Sequence, residues 1–264
     1  MASSRLSATK IGVGALIALT LATAVATVVN LQSGSADSVP TAIATSPADA
    51  ESSSAAQYAT ELLAERGHNT GSAAREQNLA DLLPNHKFTV GDSDPVNLAA
   101  GIVIGTVTKV EKGAAYRSDP ASGEDIEVAF DDDAATSRDL IVTVSVDSAL
   151  GDVSGDSAVS FGLAIDGSAD AVKAIHSFDS LGRVIAVLDA PGSLTFEPDL
   201  HSVRQSGGLI GTVSSEGAIT FPYLGDKNAE FLDGMVTVAD VLVEATGPDV
   251  ISKVERAGST PSTD

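Results

Sequence analysis

The sequence predicts a mainly β domain with a few short helices, on three observations. From about residue 100 apolar residues recur at every second position, which is the period of a half-buried strand. Two such stretches flank a short Gly-containing loop at 214–217, the signature of a hairpin. Aromatic residues make up only 4% of the 264 residues, so the core must be aliphatic. A chain of this length can bury such a core without staples.

The first 31 residues are predicted to be a signal peptide or a membrane anchor. Residues 1–10 carry Arg5 and Lys10 and no acid, and residues 11–29 read IGVGALIALTLATAVATVV without a charge. A basic segment followed by an apolar one is typical of an export signal. An apolar run this long also approaches the roughly 20 residues that span a bilayer. We favour the cleaved signal; in both cases the remainder is exported, either secreted or anchored to the outer face of the cytoplasmic membrane.

A linker and a short helical segment are predicted next. Residues 32–55 are rich in Ser, Ala, Pro and Asp and show no apolar period, which is typical of a disordered linker. Residues 56–84 are predicted to hold two short helices. The first covers 56–66 and ends at Gly67, and the second covers about 72–82.

Residues 85–247 are predicted to form the β domain, and 248–264 a polar tail. The alternation of apolar residues predicts strands at 101–110, 140–146, 157–165, 184–188, 209–213 and 218–223, with a short extra strand at 127–130. The stretch 184–188 reads VIAVL and is apolar throughout, so we expect a central strand buried on both faces. Gly105 predicts a bulge or a close approach of two backbones.

Two helices are predicted within this domain. Residues 169–178, ADAVKAIHSF, are predicted to form a helix between strands. Near the end of the domain Thr237 is a good N-cap, with Asp240 at the third helical position. The apolar face of that last helix is formed by Val238, Val241, Leu242 and Ala245. Gly247 and Pro248 end it.

The order of these elements resembles a class of exported bacterial β-barrel domains of unknown function. The resemblance covers residues 88–245 and lies in IVIGTVTKVEKG, LIVTVSVDSALGDVSGDSAVSF, GRVIAVLDA, GLIGTVSSEGAITF and TVADVLVEA. These domains are similar to OB-like barrels of the netrin/tissue-inhibitor type, which implies a partly closed, antiparallel, OB-like barrel. Ala149-Leu150-Gly151 stands where the family often has a Lys-Gly pair, and the N-terminal cysteine of the tissue inhibitors is absent. Protease inhibition is therefore not implied.

Charge and composition exclude several classes of function. The formal net charge of -21 opposes nucleic acids and anionic membrane surfaces, which are bound through Lys and Arg. We therefore expect no nucleic-acid partner, and membrane contact only through residues 11–29 if they are not cleaved. The absence of cysteine removes thiolate catalysis, Cys-ligated zinc and iron–sulfur clusters. Sequence motifs for a nucleophile elbow, a metalloprotease and a P-loop are also missing.

The acidic loop of residues 111–139 contains the sharpest candidate site, Asp131, Asp132 and Asp133. Calcium prefers six to eight oxygen ligands, which clustered aspartates supply, but the ligand spacing of an EF-hand is absent. Three adjacent acids are more often a solvated loop. We expect no cofactor, with weak binding of a divalent cation such as Ca²⁺ by the 119–133 loop as the alternative.

Function is predicted from export, strand pattern and the lack of a catalytic motif. The leading hypothesis is a non-catalytic β-barrel module of the cell envelope, or a secreted one, that binds a protein or a cell-wall component. The rival is a hydrolase whose site assembles only in three dimensions. Four histidines, His68, His86, His176 and His201, have no metal-ligand spacing, although a fold could still bring them together. We interpret His176 as a surface or packing residue.

Overall fold

The computed structural model describes residues 47–69, 78–192, 199–205 and 207–254, and the predicted mainly β fold is confirmed there. The strands are β1 (His86–Val90), β2 (Gly101–Ser118), β3 (Asp125–Val128), β4 (Ser137–Gly151), β5 (Ala158–Asp166), β6 (Arg183–Asp189), β7 (His201–Val203), β8 (Ile210–Val213), β9 (Ile219–Thr220) and β10 (Val250–Val254). The α-helices are α1 (Pro47–Asn69), α2 (Ala171–Asp179), α3 (Asn228–Leu232) and α4 (Val238–Ala245), and 3₁₀ turns cover Ala80–Leu82 and Pro222–Lys227.

Five strands pair in a ring. The pairings run β2–β4, β4–β5, β5–β7, β7–β6 and β6–β2. Four of them are antiparallel, whereas β5 and β7 are parallel, which departs from the expected all-antiparallel arrangement. A parallel pair needs a long connection, and α2 and β6 lie in the chain between β5 and β7. β3 extends the sheet from β2, and β8 with β9 extends it from β6.

β2 joins the ends of the ring, because it pairs with β4 on one edge and with β6 on the other. Register shifts interrupt the β2–β4 ladder at three places, after Ile104, Val107 and Lys112. Such bulges bend a strand and increase its twist. A Cβ atom at Gly105 would lie 2.0 Å from the carbonyl oxygen of Ser145, so only glycine permits this approach. The close approach predicted at Gly105 is confirmed.

The sheet buries apolar side chains on both of its faces. We call the cluster on one face the inner core; its sheet residues include Val103, Val142, Val144, Phe161, Leu163, Val184, Ala186 and Leu188. We call the cluster on the other face the outer core; it includes Ile102, Ile104, Ile185, Val187, Phe221, Phe231, Leu232 and Val241. Residues 184–188 alternate between the two, and each of them is 0% exposed. The predicted burial of this strand on both faces is confirmed.

Different helices cover the two cores. The inner cover, α1 and α2, adds Ala59, Leu63, Ala174 and Phe178 to the inner core. The outer cover comprises α3, α4 and the 3₁₀ turn Ala80–Leu82, and it packs against the outer core. The 3₁₀ turn Pro222–Lys227 contacts both α3 and α1. The α4 capping box is present as predicted, since Thr237 Oγ1 accepts from Asp240 N and the Asp240 carboxylate accepts from Thr237 N. α2 confirms the helix predicted at 169–178.

α1 differs from its prediction at both ends. It begins at Pro47, within the stretch expected to be a disordered linker, and it continues through Gly67. Proline suits the first turn of a helix, where its missing N–H has no partner to lose. One glycine inside a helix costs only about 1 kcal/mol relative to alanine, which packing of the helix can offset. The second helix expected at 72–82 falls partly outside the described residues, and its described part is the turn Ala80–Leu82.

The C-terminal part also differs. The strand expected at 218–223 is limited to Ile219–Thr220, because Pro222 begins a 3₁₀ turn. Residues 250–254 were expected in a polar tail, but β10 pairs in parallel with β1. The sequence VISKV contains β-branched residues that favour a strand, and the backbone of β1 supplies the hydrogen-bond partners of β10.

The predicted signal or anchor and most of the predicted linker lie outside the described residues. Within the described residues, no helix combines the length and the apolar character required to cross a membrane.

Candidate binding site

A cleft of about 500 Å³ lies where α1 meets the end of β5. We call it the α1–β5 cleft. Its lining residues are Tyr58, Leu62, Leu63, Glu65, Thr136, Ser137, Ala164, Ile165, Asp166, Ser168, Ala169 and Phe178. This volume falls within the range of small-molecule and side-chain pockets, about 300–1,000 Å³.

One wall of the cleft is a face of α1. Tyr58, Leu62 and Glu65 are spaced by four and three residues, which places them on the same side of a helix. Leu63 and Ala59 turn into the inner core, at 2% and 0% exposure, and attach the helix to the domain. Lys173 Nζ of α2 lies 3.7 Å from the centre of the Tyr58 ring. This cation–π contact links the two helices of the inner cover.

The opposite wall is the turn that connects β5 to α2. Asp166 Oδ1 accepts hydrogen bonds from the backbone N–H and from the hydroxyl of Ser168, at 2.7 and 2.6 Å. Asp170 caps α2 by accepting from Lys173 N at 2.9 Å. A Cβ atom on Gly167 would stand 1.9 Å from the carbonyl oxygen of Ala135. Glycine therefore allows this turn to lie directly against the segment that precedes β4.

Arg138 supports the wall that the β5–α2 turn forms. Its side chain is buried, and its guanidinium donates to the carbonyl oxygens of Phe130, Asp132 and Gly167. The Phe130 and Asp132 bonds measure 2.7 and 2.8 Å. A planar guanidinium presents its donors in a fixed fork. Arg138 thus ties the end of the acidic loop to the turn that lines the cleft.

The cleft combines an aliphatic interior with acidic groups. Leu62, Ala164 and Ala169 are half-buried and supply apolar surface. Glu65 and Asp166 are exposed carboxylates, and the described lining residues include no Lys, Arg or His. An apolar pocket with a few polar groups is the usual form of a binding site.

The predicted cation-binding residues lie elsewhere, in the loop that Arg138 holds. Asp131 forms an ion pair with Lys112, whose Nζ is 2.8 Å from Oδ1. Asp132 Oδ1 accepts from the backbone N–H of Ala134 at 2.8 Å, and Asp133 is exposed. Across the described ranges, no group of three or more Asp, Glu or His side chains is placed to hold a metal ion. Weak Ca²⁺ binding stays a prediction.

The tip of the acidic loop is ordered by Asp119. Its carboxylate accepts from Ala121 N and from Ser122 Oγ, each at 3.0 Å. These hydrogen bonds, the Ala121 bond first, lower the pKa of the Asp119 carboxyl from its usual 3.8, because they favour the charged form. This is a turn-forming role, and it brings no further acid to the same point.

The histidines do not form a catalytic pair in the described part of the chain. No serine or threonine hydroxyl there bonds a histidine ring. His86 Nε2 is 3.6 Å from Glu244, and His201 Nδ1 is 2.9 Å from the backbone oxygen of Asp189. His176 is exposed on α2, and His68 lies in the last turn of α1. The hydrolase hypothesis stays a prediction.

Sequence reasoning missed the α1–β5 cleft. Its walls come from α1, from the segment before β4 and from the β5–α2 turn, which are far apart in the chain. The available signal was the spacing of Tyr58, Leu62 and Glu65, which leaves an acid on the apolar side of a short helix. Nothing in the sequence signals that Lys173 contacts the Tyr58 ring or that the Arg138 guanidinium bonds three backbone carbonyls.

No protein family matches this chain, and no curated protein and no solved structure is significantly similar to it.

Proposed function

We propose that this protein is an exported, non-catalytic binding module, which takes a protein or a cell-wall component in the α1–β5 cleft. The observation that carries the proposal is the cleft itself, an aliphatic space of about 500 Å³ with exposed carboxylates in its lining. Its walls are held by the Tyr58–Lys173 contact and by the Arg138 hydrogen bonds. Rigid walls lower the ordering cost of binding.

We further propose that the ring of strands is an OB-like barrel. Five strands in the ring order β2-β4-β5-β7-β6, with α2 between the third and fourth of them in sequence, support this assignment. OB-folds often bind ligands on the outer face of their second and third strands. Here that face presents Thr143, Ser145 and Ser160, and Thr143 bonds Ser160 at 2.9 Å. It offers no aromatic platform for bases, which favours the cleft over this face.

Export is proposed from the basic and apolar character of residues 1–29. Cell fractionation followed by N-terminal sequencing tests it. We expect the protein outside the cytoplasm, with its start moved beyond the apolar stretch or with the stretch retained in the membrane. An intact Met1 on a soluble cytoplasmic protein would contradict this part of the proposal.

The binding role is tested by photo-crosslinking in cells that produce the protein. A benzoylphenylalanine replaces Ser168 in the cleft or, as the matched control, Ser145 on the outer face of β4; both positions are exposed. We expect a discrete adduct from position 168 alone. Leu62→Trp, which fills the cleft, should abolish that adduct. Equal adducts from both positions, or adducts insensitive to Leu62→Trp, would count against a site in the cleft.

A further inference from the structure

We propose that two copies of this chain associate through β10, with their β10 strands paired antiparallel about Ile251. The pairing surface is the side of residues 249–253 that faces away from β1, and we call it the β10 edge. No lining residue of the α1–β5 cleft belongs to β1 or β10, so failure of either assignment leaves the other intact.

β1 and β10 form a separate two-stranded sheet whose two edges differ. On the β1 side, Phe88 and Val96 exchange two backbone hydrogen bonds, at 2.8 and 2.9 Å. At the β10 edge, no strand pairs within the described residues. A two-stranded sheet is of marginal stability on its own. Pairing at the β10 edge would extend it to four strands.

The backbone of β10 directs hydrogen-bonding groups outward at Ile251 and Lys253. Val250 N donates to Asn85 O at 2.8 Å, which turns the peptide groups of Val250 toward β1. Successive residues of a strand direct these groups to opposite edges, so those of Ile251 and Lys253 point away from β1. The Ile251 side chain is 55% exposed. An accessible edge of this kind is a template for another strand.

The order of charges along this edge favours a second copy as the partner. Asp249 and Lys253 lie two residues before and two residues after Ile251. Antiparallel pairing about Ile251 therefore places Lys253 of each copy opposite Asp249 of the other. Opposite charges at facing positions stabilise a strand pair, and like charges destabilise it. A parallel pair in the same register would instead place like charges side by side.

Both charged groups are available for this pairing. Lys253 is exposed and forms no ion pair among the described residues. The Asp249 side chain is 62% exposed and accepts from Lys87 Nζ through Oδ2, at 2.8 Å. A carboxylate can accept at both of its oxygens, so Oδ1 can receive a second lysine. The arrangement has two-fold symmetry and closes on itself, which is the commonest form of homodimer.

The net charge of each copy, -21, opposes association at long range. At about 0.15 M salt, exposed charges more than about 8 Å apart are largely screened. Side chains at facing positions of two strands are only about 5 Å apart, so their pairing persists. β3, at an edge of the main sheet, carries the exposed acids Asp125 and Glu127 and no base, and it would repel a second copy.

Sedimentation velocity of the protein purified from the producing cells tests the proposal. We expect a reversible dimer between about 5 and about 500 µM, because an interface this small is weak. Lys253→Glu and Asp249→Lys each place like charges opposite one another at both ends of the pairing. Each should weaken the dimer at least about tenfold. Lys109→Glu, the same charge change on an exposed lysine of β2, should leave it unchanged.

An equimolar mixture of the Lys253→Glu and Asp249→Lys variants tests the register. The acids of one variant then face the bases of the other at both ends, so the mixture should associate at least about tenfold more tightly than either variant alone. Circular dichroism checks that each variant is folded. In the unsubstituted protein, amide exchange at Ile251 and Lys253 should slow as concentration rises, whereas Val250 is already bonded to β1.

Three results would overturn the proposal. The first is a monomer across the whole concentration range. The second is a dimer that Lys253→Glu does not weaken, and the third is a mixture that associates no more tightly than its separate components.

Discussion

The two helical covers rest on opposite faces of one sheet, yet they pack differently. Under the outer cover, Phe221 and Phe231 are buried and meet edge to face, with ring centres 5.3 Å apart. Under the inner cover, Tyr58 and Leu62 are only half-buried, and a cleft of about 500 Å³ remains. The outer cover thus completes a core, whereas the inner cover leaves the cleft in which we propose that a partner binds.

Under the proposed function, this contrast divides stability and binding between different helices. Aliphatic strands β2 and β6 contribute to both clusters, so the sheet alone does not decide which face is closed. The cover decides, through the side chains that it directs at the sheet. Large buried side chains fill the space over the outer face of the sheet. Over the inner face, the side of α1 that carries Glu65 leaves a cleft.

Phe221→Ala should have the largest effect. The side chain is 0% exposed, so its truncation removes apolar burial and leaves a cavity, at a cost of about 3–5 kcal/mol in the free energy of unfolding. Val243→Ala on the exposed side of α4, where the side chain is 72% exposed, should change it by about 0.5 kcal/mol or less. Urea denaturation measures both. Equal losses of unfolding free energy in the two variants would contradict the description of the outer cover as a completed core.

Arg138→Met should be next in size, at about 2–3 kcal/mol. The variant keeps much of the side-chain volume but removes the donors of three backbone carbonyls, at Phe130, Asp132 and Gly167. Arg117→Met, on an exposed arginine, is the control. The account also expects faster amide hydrogen exchange at residues 130–136 and 166–169. A loss of stability without faster amide exchange at residues 130–136 and 166–169 would contradict the proposed support of the loop and the turn by Arg138.

The helix caps provide a matched pair across the two covers. Thr237→Ala at α4 and Asp170→Ala at α2 each remove a side chain that accepts from the third helical N–H. Each should cost about 1 kcal/mol, because capping is local and independent of what the helix covers. Thermal unfolding of the two variants checks this. A much larger cost at either cap would show that it also supports the packing of its cover.

The acidic loop, outside both covers, should show the smallest effect. Because the folded pKa of Asp119 is lowered, its contribution to stability is present above its ordinary pKa of 3.8 and lost as the pH falls through the folded value. Carboxyl NMR titration should give a midpoint below 3.8. Ser122→Ala should raise that midpoint by removing one donor. A midpoint at or above 3.8 in the unsubstituted protein would contradict the hydrogen-bonded turn.

Much of the sheet could be predicted from the sequence, because its signals are local. The apolar run at 184–188, the alternation in β5 and the capping box of α4 each lie within a few residues. Gly105 was predictable for the same reason, since a glycine inside a strand marks a close approach. These features depend on periodicity and backbone geometry alone.

The cleft and the helix ends could not be predicted, because they depend on distant contacts. α1 continues past Gly67, and β10 forms only because β1 is beside it. The clearest acidic signal in the sequence is Asp131 to Asp133. In the structure Asp131 pairs with Lys112, Asp132 stabilises a turn and Asp133 is exposed to solvent. Glu65 and Asp166, which line the cleft, are about a hundred positions apart and carry no shared pattern.

Amide hydrogen exchange of the protein, compared with that of its cleft-filling Leu62→Trp variant, tests the division between the two covers most directly. The account predicts increased protection in residues 56–65 of α1 and 164–169 beside the cleft, with α4 unchanged. Protection that appears in α4 or on the outer face of β4, with α1 unaffected, would contradict it.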